Sequence, residues 1–297
     1  MTERARRERE ATGRLTEEPL DESAPLAWEE APRLCYRDPR SPDGCEAYHR
    51  VWQYLRLFGL VGSMESDAEF FHGQFRDAAR SMRFSRVLVS ATADYWMLAQ
   101  LAAAYGAEGA PLDVTIADRC RTPLMLNRWY AKRLGLEIRT READLLTFDD
   151  EPYDVICTHS FLGRFDAEGR RVLLRRWHAL LRPGGKVITS QRIRPGSTRV
   201  VNGFSTSEVE ALAHRVRRAA AERRDFEGPE PADLIAAVRS YAASKKSHVI
   251  RDAEGLLTLV REPGFSIEAA RREAGNTRRA SSPDAPGSFR LQMVAEK

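Results

Sequence analysis

Between Val87 and Arg192 the chain alternates short β-rich runs with longer stretches of helical period, and this alternation restricts the fold more than any other feature. Val87 to Ser90, Asp113 to Ala117, Glu137 to Glu142, Tyr153 to Thr158 and Lys186 to Arg192 read as five strands. Asp94 to Tyr105, Thr122 to Leu134 and Ala167 to Leu181 carry apolar side chains at helical spacing, the last halted by Arg182-Pro183-Gly184-Gly185. Strands joined through helices lie parallel, and a run such as Val87-Leu88-Val89 suits a strand covered on both faces. The expected architecture is an α/β sheet with helices on both sides.

The flanks add to this unit. Residues 1–25 are charged and without a sustained apolar period, so a disordered tail is expected there. Residues 26–82 are dense in aromatics at helical spacing, among them Trp28, Tyr36, Tyr48, Trp52, Phe58, Phe71 and Phe75, and read as an N-terminal helical cap. Residues 83–297 then form the sheet domain, interrupted after the fifth strand by a helical insertion over 205–245. A further helix follows from about Arg251, and two late strands, 266–271 and 289–296, flank a polar loop over Glu273 to Ser288.

Composition excludes several functions. No apolar run approaches the roughly 18 residues of a membrane span, and the opening residues are too charged for a signal peptide, so a cytoplasmic protein without a membrane partner is expected. The 47 basic residues are nearly matched by 43 acidic ones, and only five of the basic residues are lysine. Mixed-charge helix faces account for that pattern, and no nucleic-acid partner is expected. Cys35, Cys45, Cys120 and Cys157 show neither C-x-x-C spacing nor a histidine at the usual zinc-ligand spacing, so free thiols and no metal are expected.

The turn after the first strand, Ser90-Ala91-Thr92-Ala93-Asp94, holds small residues where a strand enters a helix. Small side chains there let the backbone approach a ligand phosphate, a ligand carboxylate or only a neighbouring helix. Beyond it come "VTIADRC", "READLLTF", "EPYDVICTHSFLGRF" and "LLRRWHALLRPGGKVITS". In this order they resemble the motifs of class I S-adenosylmethionine-dependent methyltransferases over about residues 83 to 193. The resemblance implies a Rossmann-like, seven-stranded, mostly parallel sheet, the last two strands closing it as a hairpin, with S-adenosyl-L-methionine as cofactor. It places Asp118 on the ribose hydroxyls beside Arg119, Asp144 and the backbone of Leu145 at the adenine edge, and Thr158 near the transferred methyl group.

One departure stands out. Where the family carries glycines after the first strand, this chain has Ala91, Ala93 and Tyr95, with Val89 in the family's acidic place. Alanines at negative φ would still cradle the methionine part of the cofactor along Ser90, Ala91, Thr92 and Ala93, Asp94 would meet its ammonium group, and Tyr95 would fill space.

His159 directly follows the fourth strand and is the catalytic candidate, as a base for the acceptor's proton; a hydrogen-bonded structural histidine is the alternative. Tyr36, Tyr48 and Trp52 would line the pocket of a small-molecule acceptor together with His159, or else simply pack the cap on the sheet. The cap and the 205–245 helices would close over that acceptor as a lid. Three readings stay open: a small-molecule methyltransferase, an enzyme using the same cofactor for other chemistry, and a non-catalytic binding protein. A homodimer is compatible with each.

Overall fold

The computed structural model describes residue 16 and residues 18–36, 44–61, 63–81, 84–223, 226, 228–274 and 287–297. Three helices come first: α1 (Leu20–Leu34), α2 (Glu46–Leu57) and α3 (Ser63–Arg80). The alternating unit follows as β1 (Arg86–Ser90), α4 (Trp96–Ala107), β2 (Asp113–Asp118), α5 (Arg121–Leu134), β3 (Arg139–Glu142), β4 (Tyr153–His159), α6 (Ala167–Leu180) and β5 (Leu181–Ile193). A short ribbon of β6 (Val201–Asn202) and β7 (Ser247–His248) brackets α7 (Thr206–Glu222) and α8 (Pro231–Ser244). The chain ends with α9 (Ala253–Arg261), β8 (Ser266–Ala274) and β9 (Phe289–Glu296).

Seven strands form one sheet in the order β3-β2-β1-β4-β5-β9-β8. The five early strands are parallel, and β9 inserts antiparallel between β5 and β8, giving the expected closing hairpin. The strands lie between two apolar cores, as continuous β-branched runs require. In β1, Val87 and Val89 face the core built with α1 to α5, α7 and α8, while Leu88 faces the core built with α6 and α9. On that second side the Trp177 indole donates to the Ser90 hydroxyl at 2.9 Å. Because β1 to β3 run outward on one side and β4 starts again on the other, the loops after β1 and β4 part and open a crevice at the strands' C-terminal ends.

Local signals explain most boundaries. Gly135 takes the left-handed conformation (φ 65°) that ends α5 after Lys132 and Arg133. The Asp166 carboxylate accepts from Gly169 N to open α6, and Ser205 with Glu208 forms a capping box on α7.

Three expectations need correction. Residues 1–15 and 17 lie outside the described residues, but α1 begins at Leu20, inside the stretch expected to be disordered. Its buried stripe of Leu20, Ala24, Ala27 and Ala31 has helical spacing, hidden in the sequence by small side chains, acidic neighbours and Pro25 and Pro32. The segment Arg182-Pro183-Gly184-Gly185 stops α6 as expected, yet it enters β5 as an irregularity, since Tyr153 pairs with Leu181 and Val155 with Lys186. The polar loop also shrinks: Glu273 and Ala274 belong to β8, and residues 275–286 lie outside the described residues.

No described helix is long and apolar enough to cross a membrane.

Candidate functional site

A cavity of about 700 Å³ fills the crevice. Most of the expected site residues meet there: Ala91, Thr92, Ala93 and Asp94 after β1, Asp118 at the end of β2 with Arg119 after it, Asp144 and Leu145 after β3, and His159 at the end of β4. Tyr36, Tyr48 and Trp52 form the wall on the cap side, and Tyr241 and Lys245 come from the insertion. Ser90 and Thr158, also expected at the cofactor, are not among the lining residues. Both are buried inside the sheet, Ser90 bonded to Trp177, because their places in the strands' alternation turn them away from the crevice.

The turn after β1 keeps a glycine's conformation without the glycine. Ala91 has φ 62°, not the negative φ expected of it, while Thr92 N donates to Asp118 Oδ2 at 3.0 Å and Ala91 N to the Ala117 carbonyl at 2.9 Å. These bonds curl the turn over the end of β2 and leave only methyl groups at 91 and 93. A left-handed alanine costs about 1–2 kcal/mol; glycine there gives back about 0.5–1 kcal/mol in chain entropy. Ala91→Gly is therefore expected to raise the urea midpoint slightly, by less than about 1 kcal/mol of stability. A clear fall in the midpoint contradicts the assigned backbone conformation.

Asp118 sits where two turns meet. Its Oδ1 accepts from Cys120 N at 2.7 Å and its Oδ2 from Thr92 N, and both oxygens keep lone pairs for further donors. Burial pushes its carboxyl up to about 6, against the two backbone donors and the nearby His49. Asp144 is half-exposed, with Oδ1 accepting from Leu146 N at 3.0 Å and Oδ2 3.9 Å from the Arg119 guanidinium. Arg119 in turn lies 4.4 Å over the Tyr36 ring.

Asp94 departs from expectation. Its Oδ2 accepts from Trp52 Nε1 at 2.8 Å and Arg56 Nη1 at 2.9 Å, and its Oδ1 from Trp96 N at 2.7 Å. The side chain is thus the buried anchor joining α2 to the start of α4, already neutralised by Arg56. Tyr95 fills space as expected, stacked on Tyr130 at 4.5 Å.

His159 belongs to a buried network. Its Nε2 lies 2.9 Å from Asp67 Oδ2 and 3.0 Å from Arg290 Nη2, and Asp67 also pairs with Arg290 Nε and accepts from Gln292 Nε2 at 2.8 Å. A carboxylate only accepts and a guanidinium only donates, so Nε2 serves one of them and is committed within the network in either tautomer. Burial and the adjacent Arg290 hold the imidazole below its ordinary range, hence neutral. The ring packs on Phe71 and Trp96. Of the cap histidines, His72 is not among the lining residues, while His49 borders the cavity.

Lys245, which the sequence reading passed over, stands just after α8 and lines the cavity beside Tyr241. Its Nζ lies 5.0 to 5.7 Å from the ring centres of Tyr241, Trp52 and Tyr48, and donates to the Tyr241 hydroxyl at 2.6 Å. Three ring faces favour an ammonium. Burial and, after it, Arg164, Arg194 and Arg192 outweigh them and bring the lysine down to about 7. A "KK" pair after a helix carries no local signal of this; the cage forms only where α2 and α8 meet.

All four cysteines are free thiols, as expected, and Cys157 lies buried within β4. Cys35, Cys45, His49 and Cys120 come together with all four ligand atoms within 4.8 Å of one another. Local spacing missed the group because its members belong to the end of α1, the start of α2 and the turn after β2. The signal available was Cys45-x₃-His49, which puts thiol and imidazole one helical turn apart.

No protein-family profile and no curated protein matches the chain. Among solved structures it is similar to the S-adenosylmethionine-dependent methyltransferase SibL in its apo form, at 20% identity and TM-score 0.47, over 85% of this chain and 58% of that one. It is also similar to the N-methyltransferase NodS from Bradyrhizobium japonicum WM9 in complex with S-adenosyl-L-homocysteine, at 16% identity and TM-score 0.46, over 76% and 85% of the two chains. A third similar structure is an S-adenosylmethionine-dependent methyltransferase from Clostridium acetobutylicum ATCC 824, at 10% identity and TM-score 0.49, over 78% and 91%. The chain thus spans less than two thirds of SibL's length. The strand order, with its antiparallel inserted strand, is that of the class I methyltransferase fold the motifs resemble.

Proposed function

We propose that the chain is an S-adenosyl-L-methionine-dependent methyltransferase acting on a small molecule. The observation that carries this reading is the convergence, at the switch point of the sheet, of the β2 carboxylate Asp118, the methyl-only turn at Ala91 and Ala93, and the half-exposed Asp144. This donor set suits the cofactor: Asp118 for a vicinal diol, Asp144 and the Leu145 backbone for an adenine edge, and a turn without bulk for the amino-acid portion. When bound, the sulfonium supplies an electrophilic methyl group.

The protein's own task is then to place the acceptor, exclude water and receive a proton. Tyr48, Trp52 and Tyr241 offer flat apolar faces for the acceptor, and Arg164, Arg192 and Arg194 give its end of the cavity positive charge. These features favour an aromatic acceptor bearing an acidic group. Lys245 is the base in this reading, because a neutral amine near pH 7 receives a proton at the aromatic wall, whereas the Nε2 of His159 is committed to Asp67 and Arg290.

The test is incubation of the purified chain with methyl-labelled cofactor and a set of small aromatic acids, phenols and amines. Label transferred to a product, with S-adenosyl-L-homocysteine released in equal amount, is expected. An Ala93→Leu variant should lose this activity by filling the turn while keeping its circular dichroism. Normal cofactor binding by that variant would place the cofactor elsewhere.

A further inference from the structure

We propose that Cys35, Cys45, His49 and Cys120 form a mononuclear zinc site that fastens the N-terminal helices to the edge of the crevice. The four ligand atoms have the right type, number and spacing. Cys45 Sγ and Cys120 Sγ are 3.4 Å apart, His49 Nδ1 is 3.4 Å from Cys120 Sγ and 3.3 Å from Cys35 Sγ, and no other pair exceeds 4.8 Å. Zinc at roughly 2.3 Å from sulfur and 2.0 Å from nitrogen sets tetrahedral edges of roughly 3.5–3.8 Å, so one ion fits between these atoms once the wider pairs close by up to about 1 Å. Three thiolates and an imidazole are a soft, tetrahedral set that selects zinc over magnesium or calcium.

The surroundings support a metal over four chance neighbours. Cys35, His49 and Cys120 are buried, and Cys45 is partly so. The Thr122 hydroxyl lies 3.2 Å from Cys35 Sγ, placed to donate to a thiolate as the outer partners of metal ligands do. On binding, each thiol gives its proton to solvent and the histidine coordinates through Nδ1 as the neutral ring. A full set of four protein ligands leaves no open position, which makes the ion structural.

Its place in the fold gives the site a purpose. Cys35 closes α1, Cys45 and His49 open α2, and Cys120 precedes α5, so one ion joins the end of α1, next to Tyr36, and the helix that carries Tyr48 and Trp52 to the turn that follows Asp118. The inference rests on this geometry alone and stands whether or not the chain transfers methyl groups.

Metal analysis of the full chain, purified under reducing conditions without added chelator, tests it. About one zinc per chain is expected, retained in Cys157→Ser and lost in Cys45→Ser and Cys120→Ser, with Thr122→Val weakening retention about tenfold. Cobalt(II) titrated into demetallated wild-type chain should give the absorption of a tetrahedral cobalt thiolate, a readout that does not depend on the variants folding. A chain that binds neither metal while folded, a cobalt spectrum without thiolate charge transfer, or a native Cys45–Cys120 disulfide found by mass spectrometry would each overturn the proposal.

Discussion

Asp67→Asn is expected to cost the fold about 3–5 kcal/mol, the scale of breaking a buried ion pair from one side. Asp67 and Arg290 are 0% and 1% exposed, and each holds several partners: Arg290 donates to Ser190 and Ser160 as well as contacting His159, and Asp67 takes Gln292. Removing the charge on 67 takes the carboxylate away from a buried guanidinium and leaves α3 joined to β4 and β9 by weaker bonds. Converting both partners, as in Asp67→Leu with Arg290→Met, should recover much of the loss, because the penalty lies in the orphaned charge. Burial alone would raise the Asp67 carboxyl, but Arg290, His159 and Gln292 hold it well below the usual carboxylate range. Its contribution is therefore complete above the unfolded value near about 4 and declines as pH falls below it. Urea unfolding at pH 7 and pH 3 measures both effects. The wild type should lose more stability than Asp67→Asn on acidification, and an equal loss in both contradicts the assignment.

Lys245→Met should lower kcat by about 10²–10⁴, the usual contribution of a positioned base. Methionine keeps the length and apolar stem against Tyr48, Trp52 and Tyr241, so cofactor affinity should not change. In the wild type the amine is neutral above about 7, so the rate should rise with pH through that value and level off. The variant should lose that limb. Competitive acylation followed by mass spectrometry reads the same group without an acceptor, and Lys245 should become reactive near pH 7. A Lys245 that stays unlabelled near pH 7 is removed as the base.

What was legible in the sequence follows from the range of the forces involved. Strands β1, β2 and β4 announce themselves through local β-branched runs, and Asp118 and Asp144 through the motifs that resemble those of the methyltransferases, while parallel topology makes neighbours of residues far apart. The turn at Ala91 was located correctly but not its left-handed backbone, since two bonds to the end of β2 impose that conformation. Long-range partners were invisible: Asp67 meets Gln292 across 225 positions, and Cys35 meets Thr122 across 87. For the same reason Asp94 looked available for a ligand, whereas Arg56 and Trp52 of the cap engage it, and no local pattern singled out Lys245.

Isothermal titration of S-adenosyl-L-homocysteine into the intact chain tests the central claim most directly. Saturable one-to-one binding is predicted for the wild type. Asp118→Ala should weaken it by about 2 kcal/mol, roughly thirtyfold in Kd, with the circular dichroism unchanged. No heat of binding from a folded wild-type chain, or an Asp118→Ala variant that binds as tightly as the wild type, would contradict the assignment of this crevice as the cofactor site.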